Sequence, residues 1–167
     1  MFAQKLPQTK INALLLPYIT RFAEDKSWRI RYLVADRILE LSTGIGYEQA
    51  RESLLPYYCR FLKDQESEVR TAAVSKLGDF CQILTQEEIL TKIVPNLADL
   101  HKDTFSYVKA ALSEQILSLC PLIGKANTTE HILPIFLVLL RDENSEVKLN
   151  LLKRLDERNQ VISIEEL

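Results

Sequence analysis

Acidic and basic side chains recur at one interval along this chain. Asp25, Asp64, Asp103 and Asp142 stand 39 residues apart, and six residues after each comes a cation: Arg31, Arg70, Lys109 and Lys148. Charges repeated in this way can pair with one another or face a partner. Each Asp falls at the end of one helical segment, near the free N–H groups that open the next, where an anion is favoured. A cation one turn into that second helix can reach the Asp of its own or a neighbouring copy. Repetition in all four copies favours a structural ladder between repeats. Exposed pairs contribute little each, so such a ladder sets register more than stability.

Catalytic chemistry has little to work with. His101 and His131, the only histidines, lie in different copies, and no carboxylate pair, Gly-rich phosphate loop or Cys–His set has usable spacing. No catalytic residue, metal site or cofactor is therefore expected. Cys59, Cys81 and Cys120 are odd in number and form no C-x-x-C pair, which fits reduced thiols in a cytoplasmic or nuclear protein. With a net charge of −2 and a pI of about 5.8, nothing calls for nucleic acid as a partner. No apolar run approaches the roughly 20 residues of a membrane span, and no membrane partner is expected.

The elements that position these charges repeat with them. Pro17, Pro56, Pro95 and Pro134 share the 39-residue interval, as do Ile30, Val69, Val108 and Val147. Apolar residues follow each proline at two and five places (Ile19 with Phe22, Tyr58 with Phe61, Leu97 with Leu100, Phe136 with Leu139), one buried stripe of an amphipathic helix. A proline in mid-helix predicts a bend in every first helix. A short polar turn and a second helix follow, reading 29–38, 68–77, 107–116 and 146–155. Ser67, Ser106 and Ser145 share the register at which it should start, with hydroxyls able to cap its N–H groups; Trp28 replaces them in the first copy. Thr85 with Glu88 reads as a capping box.

A helix pair every 39 residues, with only 4 glycines in 167 residues, predicts an all-α, right-handed solenoid of HEAT repeats. Armadillo units would need a third helix for which there is little room. The expected units are 11–46, 47–84, 85–124 and 125–167, with 1–10 closing a preceding repeat. Met1–Gln8 reads as the tail of an earlier second helix, and Val161–Leu167 contains no amphipathic helix to cover the last unit. Both readings imply capping repeats outside the sequence.

The stretch Asp25-Lys-Ser-Trp-Arg-Ile-Arg-Tyr-Leu-Val-Ala-Asp36 closely resembles the scaffold (A, structural) subunit of protein phosphatase 2A. Similar stretches follow in order: Phe61-Leu-Lys-Asp-Gln-Glu-Ser-Glu-Val-Arg70, Leu122-Ile-Gly-Lys-Ala-Asn-Thr-Thr-Glu-His-Ile-Leu-Pro134 and Asp142-Glu-Asn-Ser-Glu-Val-Lys-Leu-Asn150. The resemblance implies a middle segment of a non-catalytic horseshoe. In that family the turns inside the helix pairs form a ridge that holds a regulatory (B-type) subunit, and the catalytic subunit would sit on repeats beyond this chain. The residues so implicated are Lys26, Ser27, Trp28 and Arg29 in the first turn, Gln65 and Glu66 in the second, and Thr104 and Phe105 in the third. Trp28 is the only Trp, and aromatics and arginines are favoured interface anchors. Arg29 departs from Glu68, Tyr107 and Glu146 at its register, which suits a private role such as pairing with a partner carboxylate. The third turn, His101-Lys-Asp-Thr-Phe-Ser-Tyr107, is more aromatic and less acidic than the family pattern.

Two other classes fit less well. A helical-repeat DNA-processing enzyme would line its second helices with cations, yet Arg37, Lys76 and Arg154 alternate with Gln115, Glu40, Asp79 and Asp156. A karyopherin-type adaptor would carry aromatic or Asn pockets in register along the same helices, and none is visible.

Overall fold

The computed structural model describes the backbone of residues 7–159 and the side chains of 7–155. Val161–Leu167 and Met1–Leu6 lie outside the described residues, and with them the expectations for the two termini. Gln8, read from sequence as the end of a preceding repeat, instead opens the first helix, α1 (Gln8–Ala23).

Four helix pairs follow one another. Unit 1 is α1 with α2 (Trp28–Asp36) and α3 (Ile38–Ile45); unit 2 is α4 (Tyr47–Phe61) with α5 (Ser67–Ser75) and α6 (Leu77–Cys81). In unit 3, α7 (Gln86–Glu88), a π-helical stretch Ile89–Ile93 and α8 (Val94–Leu100) make the first arm. Its second arm is α9 (Ser106–Gln115), a 3-10 turn Ile116–Leu119 and α10 (Cys120–Asn127), which is broken at Gly124. Unit 4 has a π-helical stretch Thr128–Ile132, α11 (Leu133–Leu140) and α12 (Ser145–Asn159). No strand occurs among the described residues, and none of their helices is long and apolar enough to cross a membrane.

Second helices stack in order, α2 on α5, α5 on α9 and α9 on α12, while α1 packs on α4. The core is one continuous cluster along the array. Val69, Val108 and Val147, at one register of the second helices, are wholly buried, as are Tyr58 and Leu97 on the first helices. Each such aliphatic side chain contributes about 1.5–3 kcal/mol through burial. Tyr58 is tolerated there because its hydroxyl donates to the Ala73 carbonyl at 2.7 Å. The molecule is thus an all-α solenoid.

The prolines behave in two ways rather than one. Pro17 and Pro56 lie inside the helices α1 and α4. Pro95 and Pro134 instead follow the π-helical stretches, where the Val94 N–H donates to Ile89 and the Leu133 N–H to Thr128, five residues back. Proline offers no N–H and crowds the carbonyl four residues earlier; a wider turn just before it relieves that crowding.

The second helices are also less regular than their sequence suggests. They break at Arg37 (φ −99°, ψ 15°) and at Lys76 (φ −101°, ψ 4°), and give way to the 3-10 turn after Gln115. The break lets α2 lie on the next second helix while α3 packs against the next first helix, α4. The serines do not cap. Ser67 and Ser106 are the first helical residues, the N-cap positions belong to Glu66 and Phe105, and no side chain at either position bonds the helix end. Thr85 and Glu88 do form a reciprocal capping box. Gly46 (φ 88°) and Gly124 (φ 79°) end their second arms in the left-handed region that a side chain resists.

Gly78 stands where two units approach closely. Its N–H donates to Gln115 Oε1 at 3.3 Å, and a Cβ here would stand 2.4 Å from Ser118 Oγ and 2.8 Å from Ser118 Cβ. Gly78→Ala should therefore destabilise the array by about 1–3 kcal/mol in urea unfolding, through overpacking. Adding Ser118→Gly should recover most of the loss; equal instability of the single and double variants would refute the steric cause.

Candidate functional site

The turns inside the helix pairs form the most elaborated surface, and the charge ladder builds it. Each Asp first closes its own turn: the Oδ1 atoms of Asp25, Asp64, Asp103 and Asp142 accept the N–H of Ser27 (2.8 Å), Glu66 (3.0 Å), Phe105 (3.0 Å) and Asn144 (2.9 Å). This two-residue bridge holds the chain at the mouth of the second helix, the task assigned from sequence to the serines.

Each cation then reaches forward to the next unit. Arg31 Nε and Nη2 donate to Asp64 Oδ2 and Oδ1 at 2.7 and 2.8 Å, and Arg70 repeats the fork on Asp103 at 2.7 and 3.0 Å. Lys109 Nζ bonds Asp142 Oδ2. Within its own turn, Arg31 Nη1 donates to the carbonyls of Asp25 (2.8 Å) and Lys26 (3.2 Å), and Arg70 Nη1 to those of Asp64 (2.7 Å) and Gln65 (3.0 Å). One guanidinium therefore ties two successive turns together. The side chains in these pairs are only 7–18% exposed, unlike the surface pair Arg60–Glu24 at 65% and 53%.

The electrostatics follow. The hydrogen bond to Asp64 raises the Arg31 pKa, and that to Asp103 raises Arg70. Burial works against the ionised form of Asp64, but the bonds from Arg31 and the Glu66 N–H outweigh it and hold the carboxyl below its usual value. Asp142 is likewise depressed, with Lys109 and the Asn144 N–H prevailing over burial. Among the described residues, Asp25 and Lys148 meet no oppositely charged side chain at pairing distance.

On this framework the turns present their side chains. Trp28 is half-buried against the core, with the exposed Arg29 guanidinium 4.7 Å from its ring. Lys26, Gln65 and Thr104 are exposed, while Ser27 and Glu66 are half-buried. Phe105 is 45% exposed and Tyr107 41%, their rings 5.4 Å apart, and Arg70 lies 5.9 Å from the Phe105 ring. Of the eight residues expected from sequence, Lys26, Ser27, Gln65, Glu66, Thr104 and Phe105 lie in the three successive turns that the ladder joins, while Trp28 and Arg29 open α2. Tyr107 was not among them: its hydroxyl bonds that of buried Ser67 in the preceding unit. Its register, shared with Arg29, Glu68 and Glu146, and the aromatic character of the third turn were its signals in the sequence.

Elsewhere, a groove of about 530 Å³ lies between the first helices of units 2 and 3, beside Cys59 and Lys92. Asn96 Oδ1, on its wall, is the one buried side-chain polar atom without a hydrogen-bond partner among the described residues. Those residues contain no group of three His, Cys, Asp or Glu able to hold a metal.

Comparison with known proteins supports the same architecture. Residues 48–124 match the family model of the PPP2R1A-like HEAT repeat. No curated protein sequence matches the chain. Among solved structures, that of Cex1p is similar in fold, with a TM-score of 0.74 at 16% identity over 96% of this chain. The match takes in 32% of Cex1p, so the chain spans about a third of that protein's length.

Arg70→Met should cost about 1–3 kcal/mol, more than Arg60→Met, because the first pair is largely buried and the second is solvated. Paired urea titrations would decide, and equal losses would remove the ladder's special status. Because Asp64 and Asp142 bind protons less readily folded than unfolded, their contribution is present above the ordinary carboxylate pKa of 3.8 and vanishes as pH falls through their lower folded values. Asp64→Asn should accordingly flatten the acid limb of stability, measured by circular dichroism from pH 6 downwards.

Proposed function

We propose that this HEAT-repeat solenoid is a non-catalytic segment of a scaffold of the protein phosphatase 2A type, and that its turn ridge holds a regulatory subunit. The observation that carries this reading is the ridge itself: three turns locked together by arginine forks, presenting Trp28 with Arg29 at one place and Phe105 with Tyr107 at another. Aromatic and Arg side chains on a rigid frame lose little conformational entropy on binding and make effective anchors. The PPP2R1A-like HEAT repeat model over residues 48–124 supports the scaffold class. The resemblance of Asp25–Asp36 and Asp142–Asn150 to phosphatase scaffolds extends that support to the flanking units.

On this reading the chain acts by position. It keeps a regulatory subunit near a catalytic one carried on other repeats, which raises the effective concentration of selected substrates at the active site. Lys26, Ser27, Gln65, Glu66 and Thr104 form the polar rim, and Trp28, Arg29 and Phe105 the anchors.

Titration of purified B-type regulatory subunits against the chain tests the proposal. Trp28→Ala with Arg29→Glu should weaken binding about 30-fold or more, the usual scale for losing two anchors, while the helical circular-dichroism signal stays intact. Binding unchanged by the double substitution would reject the ridge as the docking surface. No binding by the unaltered chain, at concentrations where a full-length phosphatase scaffold binds, would reject the partner.

A further inference from the structure

The groove between the first helices of units 2 and 3 differs from the other junctions in its charge. Arg60 and Lys63, from the end of one first arm, and Lys92, on the next, line it together, with no carboxylate on its walls. The same registers carry Arg21, Glu24 and Ser53 between units 1 and 2, and Asp99, Lys102 and His131 between units 3 and 4. Arg60 and Lys63 lie beside Glu24 and, at 3.8 Å, Asp99. These pairs are solvated enough to exchange partners with little loss. Lys92 is exposed and meets no carboxylate at pairing distance among the described residues. Burial pushes the thiol of Cys59, on the same wall, above its ordinary value, while the charges of Lys92 and Lys63 pull the other way. Both cations are therefore felt inside the groove.

The groove also holds an incomplete hydrogen bond. Asn96 is 4% exposed; its Nδ2 donates to the Lys92 carbonyl, and its Oδ1 has no donor among the described residues. A buried acceptor without a donor costs stability. The position does not require an amide, because unit 4 buries Ile135 at the same register, 6% exposed. What would complete the oxygen is an N–H donor, and what the cations draw is an anion. A simple carboxylate brings the charge without the donor, whereas an acidic stretch of polypeptide brings both.

We propose that this groove binds an acidic segment of a partner protein, with its carboxylates on Lys92, Lys63 and Arg60 and a backbone N–H on Asn96 Oδ1. The volume of about 530 Å³ is in the usual range for a binding cleft and suits a few residues of chain. The Asn96 amide turns toward the ligand about its terminal torsion, which is soft. None of the ridge anchors takes part, so the site stands or falls separately from the docking of a regulatory subunit.

Selection of short random peptides on the unaltered chain, followed by titration of a synthetic peptide of the selected sequence, tests this. The expected selection is rich in neighbouring Asp and Glu. Lys92→Glu and Asn96→Ile should each weaken the peptide about tenfold, and Trp28→Ala with Arg29→Glu should leave it unchanged. Asn96→Ile should unfold at no lower urea concentration than the unaltered chain, which separates a lost contact from lost folding. Saturating peptide should slow iodoacetamide alkylation of Cys59 severalfold and leave Cys120 unaffected, as read by mass spectrometry. A selection without acidic enrichment, or affinity indifferent to Lys92→Glu and Asn96→Ile, would overturn the proposal. Displacement of the peptide by acetate or inorganic phosphate at equal concentration would overturn it too, assigning the groove to small anions. Loss of the peptide with the Trp28 and Arg29 substitutions alone would move the acidic segment to the ridge.

Discussion

The forked hydrogen bond from an arginine of one unit to the aspartate of the next is the contact on which the arrangement of this array depends. Apolar stacking supplies most of the attraction between units, but it is non-directional and scales with area alone. Two helix layers held only by leucines and valines could slide with modest loss. The guanidinium removes that freedom because its donors point in fixed directions: Nε and Nη2 grip the neighbouring carboxylate, and Nη1 grips two carbonyls of its own turn. Each aspartate is in turn oriented by a backbone N–H of its own turn. Turn, fork and turn form one continuous polar frame along an apolar stack.

The frame is not uniform. Between units 3 and 4 the arginine is replaced by Lys109, which makes a single bond from an ammonium that has no preferred plane. The same region holds both π-helical stretches, the 3-10 turn and the break at Gly124. Units 1 and 2 have fork-locked turns and unbroken first helices. The regular half of the array is therefore also the half with the more directional polar bonds, and Trp28 with Arg29 stands on it.

A solenoid has no enclosed site, so its chemistry lies in what the turns expose and in how firmly they hold it. The charged repeat serves the second purpose and the irregular residues serve the first. Trp28, Arg29, Phe105 and Tyr107 interrupt registers that elsewhere carry Ser, Glu or Asn, and the frame beneath them is the part that repeats. That division explains why the candidate anchors stood out only against the period.

Much of this was legible in the chain because it is local or periodic. The helix-pair fold follows from a 39-residue recurrence of apolar stripes, and the Thr85–Glu88 capping box from a spacing of three residues within one turn of helix. The positions of the turns followed from the same recurrence. What the sequence left open depended on distances across units. Spacing allowed each cation to meet the aspartate of its own unit or of the next, and only the stacked helices place Arg31 on Asp64 rather than on the Asp25 carboxylate. The serines matched a capping preference, but the aspartates, positioned by tertiary packing, closed the turns instead. The breaks at Arg37 and Lys76 arise because each second arm must satisfy two neighbours at once, and the need for Gly at 78 exists because a Cβ there would stand within 3 Å of Ser118 of the next unit. Residue pattern alone determined what each unit is; contact between units decided how the units hold one another, because those contacts join residues more than 30 positions apart.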